Sequence, residues 1–207
     1  LAVGLWLAGC GMVPPAADPA SDVPEGRGAA GPVVEAHSYD EALVRWRDAA
    51  DVNAWIGAHF EYDRARALQL SETERRKNGG LPIHEPAAFF AAPHGVCVDL
   101  ARFGVETLRA IRPESRPGYL MIEFDPVSIG GHVLRRHWVA TYEQDGAVFV
   151  FADSKRPGHV AGPYARIDDY IADYARYRGR GIVSFRAMPS YERRSEEHTS
   201  ELQSRVD

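Results

Sequence analysis

From Val96 onward the apolar residues fall at Cys97, Leu100, Ala101, Val105, Leu108 and Ile111, a stripe with the 3.6-residue period of a helix. Pro113 cannot donate the next helical hydrogen bond, so the spacing predicts a helix that begins at or just before Cys97 and stops short of Pro113. Upstream, Ser38-Tyr39-Asp40-Glu41 has the capping-box pattern, with a hydroxyl at the cap and a carboxylate three residues on. Leu43, Trp46, Ala50, Trp55 and Phe60 follow at helical spacing, with a break near Asp51. Ser71-Glu72-Thr73-Glu74 caps another short polar helix, ended by Asn78-Gly79-Gly80. Past Pro113 the texture changes. Residues 119–124, 137–142, 147–152 and 182–188 are β-rich runs separated by Gly, Pro and Asp. Ile167, Tyr170, Ile171 and Tyr174 predict one more helix between the last two strands. Helices first and an antiparallel sheet afterwards predict an α+β domain.

The turn between the second and third strands sets which residues meet. Gln144-Asp145-Gly146 suits a three-residue loop, a type I turn followed by glycine in the left-handed conformation. Glu143 then pairs with Ala147, and counting outward places His137 directly opposite Asp153, within reach of an imidazole–carboxylate contact. A two-residue Asp145-Gly146 loop would instead pair Trp138 with Asp153 and turn His137 to the other face.

The chain of 207 residues is 45% hydrophobic and 26% charged with a formal charge of −5, the profile of a soluble globular protein without the basic excess of a nucleic-acid binder. It opens on an apolar run at residues 1–9, far shorter than the ~20 residues a membrane span needs. Leu7-Ala8-Gly9-Cys10 resembles the lipobox of bacterial lipoproteins, in which the cysteine is acylated. Because the first residue is Leu1 rather than Met, the natural N-terminus is expected upstream. Gly11, in place of an inner-membrane retention aspartate, favours an outer-membrane destination facing the periplasm. Residues 10–36 then read as the acylated Cys10 and a flexible Pro/Ala/Gly/Asp-rich tether. One domain is expected over residues 37–193. Residues 194–207 lack any apolar period and resemble the in-frame translation of a sequencing-adapter oligonucleotide, so no functional residue is expected there.

The chain has two cysteines. If Cys10 is lipidated, Cys97 is left without a disulfide partner, which suits either a small core hydrophobe or a reactive thiol. Its place decides for the thiol, because a helix N-terminus presents free N–H groups and a positive dipole end that favour a thiolate and can bind an oxyanion. A thiolate nucleophile also needs a base and a group to orient that base. His137 and Asp153 are the pair that the strand pattern brings within reach. Other chemistries lack their motifs: the chain has no H-E-x-x-H, no C-x-x-C and no phosphate-cradling glycine loop. A metal on His132 and His137 would lack a third ligand at a sensible spacing, so no metal or other cofactor is expected.

Gly95-Val96-Cys97-Val98-Asp99-Leu100-Ala101, then His137-Trp138-Val139, then Phe151-Ala152-Asp153, resembles the transglutaminase-like superfamily. Phe60-Glu61-Tyr62-Asp63 and Glu85-Pro86-Ala87-Ala88-Phe89-Phe90 resemble its bacterial cysteine-proteinase branch. The likeness covers roughly Trp55 to Pro163. It departs from the branch at Val96, where an Asp is common, and in the stretch from Asp125 to His132. The resemblance implies a papain-like core with the nucleophile at a helix N-terminus against an antiparallel sheet, and catalytic roles for Cys97, His137 and Asp153. The expected function is a lipid-anchored amide hydrolase of the cell envelope acting on a protein or peptide through a thioester. A protein-glutamine cross-linking transferase and a non-enzymatic envelope binding module remain open alternatives. A papain-like cell-wall endopeptidase would share the Cys-then-His order, but its D-C-S-G-like stretch is missing here.

Overall fold

A computed structural model describes residues 21–28, 31–78 and 80–191. Cys10 and the adapter-like tail at 194–207 lie outside the described residues. In chain order the elements are α1 (Tyr39–Arg45), α2 (Ala49–His59), β1 (Glu61–Tyr62), α3 (Arg64–Gln69), α4 (Glu72–Asn78), α5 (Pro86–Ala91), β2 (His94–Gly95) and α6 (Cys97–Ile111). Then come β3 (Gly118–Ile129), β4 (His132–Gln144), β5 (Ala147–Phe151), β6 (Ala161–Tyr164), α7 (Ile167–Arg178) and β7 (Ile182–Met188). The protein is mixed α+β: an antiparallel sheet in the order β6-β5-β4-β3-β7 carries α6 on one face and α7 on the other.

The helices form where the apolar spacing and caps require. Ser38 Oγ accepts from the Glu41 N–H while Glu41 answers the His37 N–H, and Asp48 caps α2 after the break that ends α1. Such a cap contributes about 1 kcal/mol. Along β3 and β4 the side chains alternate: Tyr119, Met121, Trp138 and Ala140 pack toward α6, while Leu120, Ile122 and Val139 pack toward α7. The α6 side is completed by an aromatic cluster in which Trp55 stacks on Phe90 at 4.8 Å and lies 5.0 Å from Phe103.

Several features lie outside the sequence-based expectations, among them the short elements β1, α3, α5 and β2. Strand β6 had no signal, being short and containing Pro163. Residues 125–132, which match nothing in the resemblance, form the far end of a long β3–β4 hairpin turning at Gly130 and Gly131, both at positive φ. That tip leans on α4, where the Val133 N–H donates to Thr73 Oγ1 and Arg136 pairs with Glu72. Finally, residues 21–28, whose composition reads as tether, lie against the folded domain through several hydrogen bonds.

The β4–β5 register is a correction. Gln144 pairs with Ala147, so the loop is the two-residue Asp145-Gly146 turn and not the three-residue one. Both loop residues have positive φ (53° and 78°), as a type I′ turn demands, and Asp-Gly meets that demand cheaply. This register runs Trp138, not His137, toward the Asp153 level.

Candidate active site

Cys97 is the first residue of α6, and its position is fixed from below. Asp99, fully buried, accepts from the Val96 N–H at 3.0 Å and from the His84 N–H at 2.9 Å. The Arg66 guanidinium donates to both Asp99 oxygens, at 2.7 and 2.8 Å. One carboxylate thus ties the helix start to α3 and to the loop before α5. The approach to Cys97 is set by β1 and β2, whose parallel pairing matches Glu61 with His94 and Tyr62 with Gly95. A Cβ on Gly95 would stand 2.9 Å from the Asp99 Cβ, so this tight corner requires glycine.

His137 and Asp153 meet although the hairpin register points them apart. Pairing between β4 and β5 ends at Ala140 and Phe151. The next residue, Ala152, takes φ = 55°, which breaks the two-residue alternation and swings Asp153 back toward β4. His137 Nε2 then lies 3.0 Å from Asp153 Oδ1. An ionised carboxylate can only accept, so Nε2 carries the proton. Asp153 also accepts from the Lys155 N–H at 3.0 Å, from Tyr174 Oη at 3.3 Å and from Arg156 Nε at 3.3 Å. Burial alone would raise its carboxyl, but His137 above all, then Arg156 and Arg178, hold it well below the usual carboxylate range. The imidazole is fully buried and stacks on Tyr174 with ring centroids 5.8 Å apart.

The other side of the ring faces the thiol. Cys97 Sγ, a His137 ring nitrogen and an Asp22 oxygen all lie within 4.8 Å of one another. Since Nε2 is engaged by Asp153, Nδ1 is the nitrogen on this side. It lies 3.2 Å from Asp22 Oδ2, an ion-pair distance, but with an alignment that makes no hydrogen bond. Burial would push the imidazole down; the charge of Asp22 and contacts with Asp153 and Cys97 outweigh it and raise His137 well above its ordinary value. Asp22, in turn, is lowered to about 2 by His137 and Arg178 against the opposing effect of burial.

A cleft of about 290 Å³ opens over Cys97, lined by Tyr62, Val98 and Trp138 and walled by Arg75, Arg135 and Arg136. Arg136 is held by Glu72 at 2.7 Å and Glu123 at 2.8 Å, and Arg135 by Glu123 at 3.2 Å. Burial first, then the charges of Asp22 and Cys97, raises the Tyr62 phenol, so it stays protonated at neutral pH.

The structure therefore brings Cys97, His137 and Asp153 together, in contact by a different backbone route from the one the turn pattern implied. His132, the other histidine considered for a metal, is elsewhere, against Ser71 and Glu74. Among the described residues, the group that could hold a metal ion is Asp22, Cys97 and His137. Its donor types suit zinc, whose ~2.0–2.3 Å bonds would require the three atoms to draw together from separations of up to 4.8 Å. Asp22, Asp99, Tyr174 and Arg178 were not singled out as site residues by sequence reasoning. Asp99 carried a signal, being a polar position inside the apolar stripe of α6; Tyr174 read only as a member of the apolar stripe of α7, and Asp22, in a stretch without periodicity, carried none. No family model, curated protein or solved structure matches this chain.

Proposed function

We propose that the protein is a thiol-dependent amide hydrolase of the transglutaminase-like kind, acting on protein or peptide substrates in the cell envelope, where an acylated Cys10 would anchor it. The observation that carries the reading is a single imidazole, fully buried, with a helix-N-terminal cysteine sulfur within 4.8 Å on one side and an ionised carboxylate at 3.0 Å on the other. That is the nucleophile–base–orienter arrangement acyl transfer needs, with each side chain delivered by a different element.

In this mechanism His137 Nδ1 takes the Cys97 thiol proton, the thiolate attacks the carbonyl carbon, and the C=O π pair moves to oxygen. The Cys97 backbone N–H, free at the first turn of α6, supplies one donor to that oxyanion. Tyr62, protonated and lining the same cleft, would supply a second. Collapse of the intermediate expels the amine, which takes the proton from His137 Nδ1 and leaves a thioester. Water then gives a proton to Nδ1 as it attacks the thioester, releasing the acid and the thiolate. Throughout, Asp153 holds the ring through Nε2 and stabilises the imidazolium.

A peptide library offered with and without a primary-amine acceptor, read by mass spectrometry, tests this. Cleaved or deamidated products support the hydrolase, and amine adducts replace it with the transferase. Neither product, together with a pH profile of Cys97 alkylation that His137→Ala leaves unchanged, leaves the binding module.

A further inference from the structure

Residues 21–28 lie against the folded domain beside the catalytic cleft, and Asp22 is the residue of this arm that lines it. Asp22 ion-pairs with Arg178 at 2.7 Å while its other oxygen stands at His137 Nδ1. Glu25 bridges Lys155 Nζ at 2.6 Å and Tyr177 Oη at 2.7 Å. Arg27 donates to the Gly57 and Phe60 carbonyls, at 2.6 and 2.8 Å, occupying acceptors at the C-terminal end of α2. The backbone is engaged too, with the Glu25 N–H donating to the Lys155 carbonyl at 3.1 Å and the Gly28 N–H to the Pro157 carbonyl at 2.8 Å. At Gly28 the fit is backbone to backbone: a Cβ there would lie 2.6 Å from Gly158 and His159 main-chain atoms. An eight-residue stretch with two acidic anchors, a basic one and an obligatory glycine is matched to this surface.

We propose that the 21–28 arm is a self-inhibitory occupant of the substrate groove, and that the groove therefore takes extended acidic peptides with carboxylates three residues apart. The proposal rests on the catalytic reading of Cys97 and His137. Its core is a matter of space. For the amine to leave, its nitrogen must come within hydrogen-bond reach of His137 Nδ1, and Asp22 Oδ2 already stands 3.2 Å from that atom. Both cannot be there. A substrate engages only as the arm leaves, and the groove it then finds offers Lys155 and Arg178 side chains and the Lys155 and Pro157 carbonyls that the arm had used.

The test reads access to Cys97 separately from its ionisation. Iodoacetamide rates are measured on the full chain up to the high-pH plateau, where all the thiol is thiolate. Asp22→Asn/Glu25→Gln should raise the plateau rate at least tenfold over the unmodified chain; the isosteric Asp22→Asn alone, which preserves shape if the double variant folds poorly, should raise it in the same direction. A synthetic peptide with the sequence of residues 21–28 should restore protection to the double variant, and its Asn/Gln counterpart should not. Equal plateau rates, or protection indifferent to the peptide's charge, would overturn the proposal. Failure of the catalytic reading looks different: His137→Ala would leave the pH profile of alkylation unchanged whatever the arm does.

Discussion

His137 Nε2 meets Asp153 Oδ1 at 3.0 Å because Ala152, between strand and carboxylate, adopts a left-handed backbone that glycine would adopt more readily. Ala152 is fully buried as well. Ala152→Val adds both bulk and β-branching where φ is positive, and the two penalties act in the same direction. We expect a loss of about 2 kcal/mol or more in urea unfolding, together with weaker turnover as Asp153 is displaced.

Cys97→Ala and His137→Ala should each abolish most of the turnover, by about 10⁴-fold or more, and the double variant should lose little beyond either one. Asp153→Asn should be roughly a hundredfold less severe, since it disturbs the tautomer and orientation of the base without removing it. Additive losses in the double variant, measured as kcat/KM on a cleaved peptide, would show that the two side chains do not act as one unit.

Stability should depend on pH at both ends. Asp22 and Asp153 are depressed in the fold, so their contribution is complete above the unfolded carboxylate value of 3.8 and is lost as pH falls through their folded values, about 2 for Asp22. For Asp22 this amounts to about 2 kcal/mol disappearing between roughly pH 4 and 2. His137 is raised, so its contribution is complete below 6.5 and is lost as pH climbs through its folded value on the alkaline side. Asp22→Asn should flatten both limbs in urea midpoints taken across pH. An unchanged acid limb would place the loss in other carboxylates.

Asp99→Ala removes the acceptor of two backbone N–H groups and leaves the nearly buried Arg66 without its carboxylate. Breaking one side of such a pair costs about 3–5 kcal/mol. The denaturant midpoint should drop accordingly, and Cys97 alkylation should lose its dependence on His137 as the start of α6 loosens.

Much of this was legible in the sequence where a single physical rule dominates. The α6 stripe, bounded by a glycine corner and a proline, predicts a helix from at or just before Cys97 to short of Pro113, and the helix spans Cys97–Ile111. The capping hydroxyl at Ser38 and the period-two runs around Val139 and Val150 read as directly. The hairpin did not, because three- and two-residue loops were both compatible with Gln144-Asp145-Gly146; the cost of φ > 0 at Asp145 is low enough that the tighter turn wins. The His137–Asp153 contact survived that error only through Ala152, a conformation that no pattern of apolar and polar residues encodes. The arm was illegible for a related reason: its binding rests on individual ion pairs and two backbone hydrogen bonds, none of which leaves a periodic trace. Composition marked residues 21–28 as polar and did not mark where they go.

Gly104, midway along α6, has no side chain to hold the helix off the sheet: a Cβ there would stand 3.0 Å from the Ala152 Cβ and 3.2 Å from the Phe151 ring. The helix that carries Cys97 and the strand end that carries Asp153 therefore bear on each other through a backbone set against a methyl group and a ring. A glycine and an alanine have no rotamers to hop, so this bearing keeps the gauge between sulfur and carboxylate.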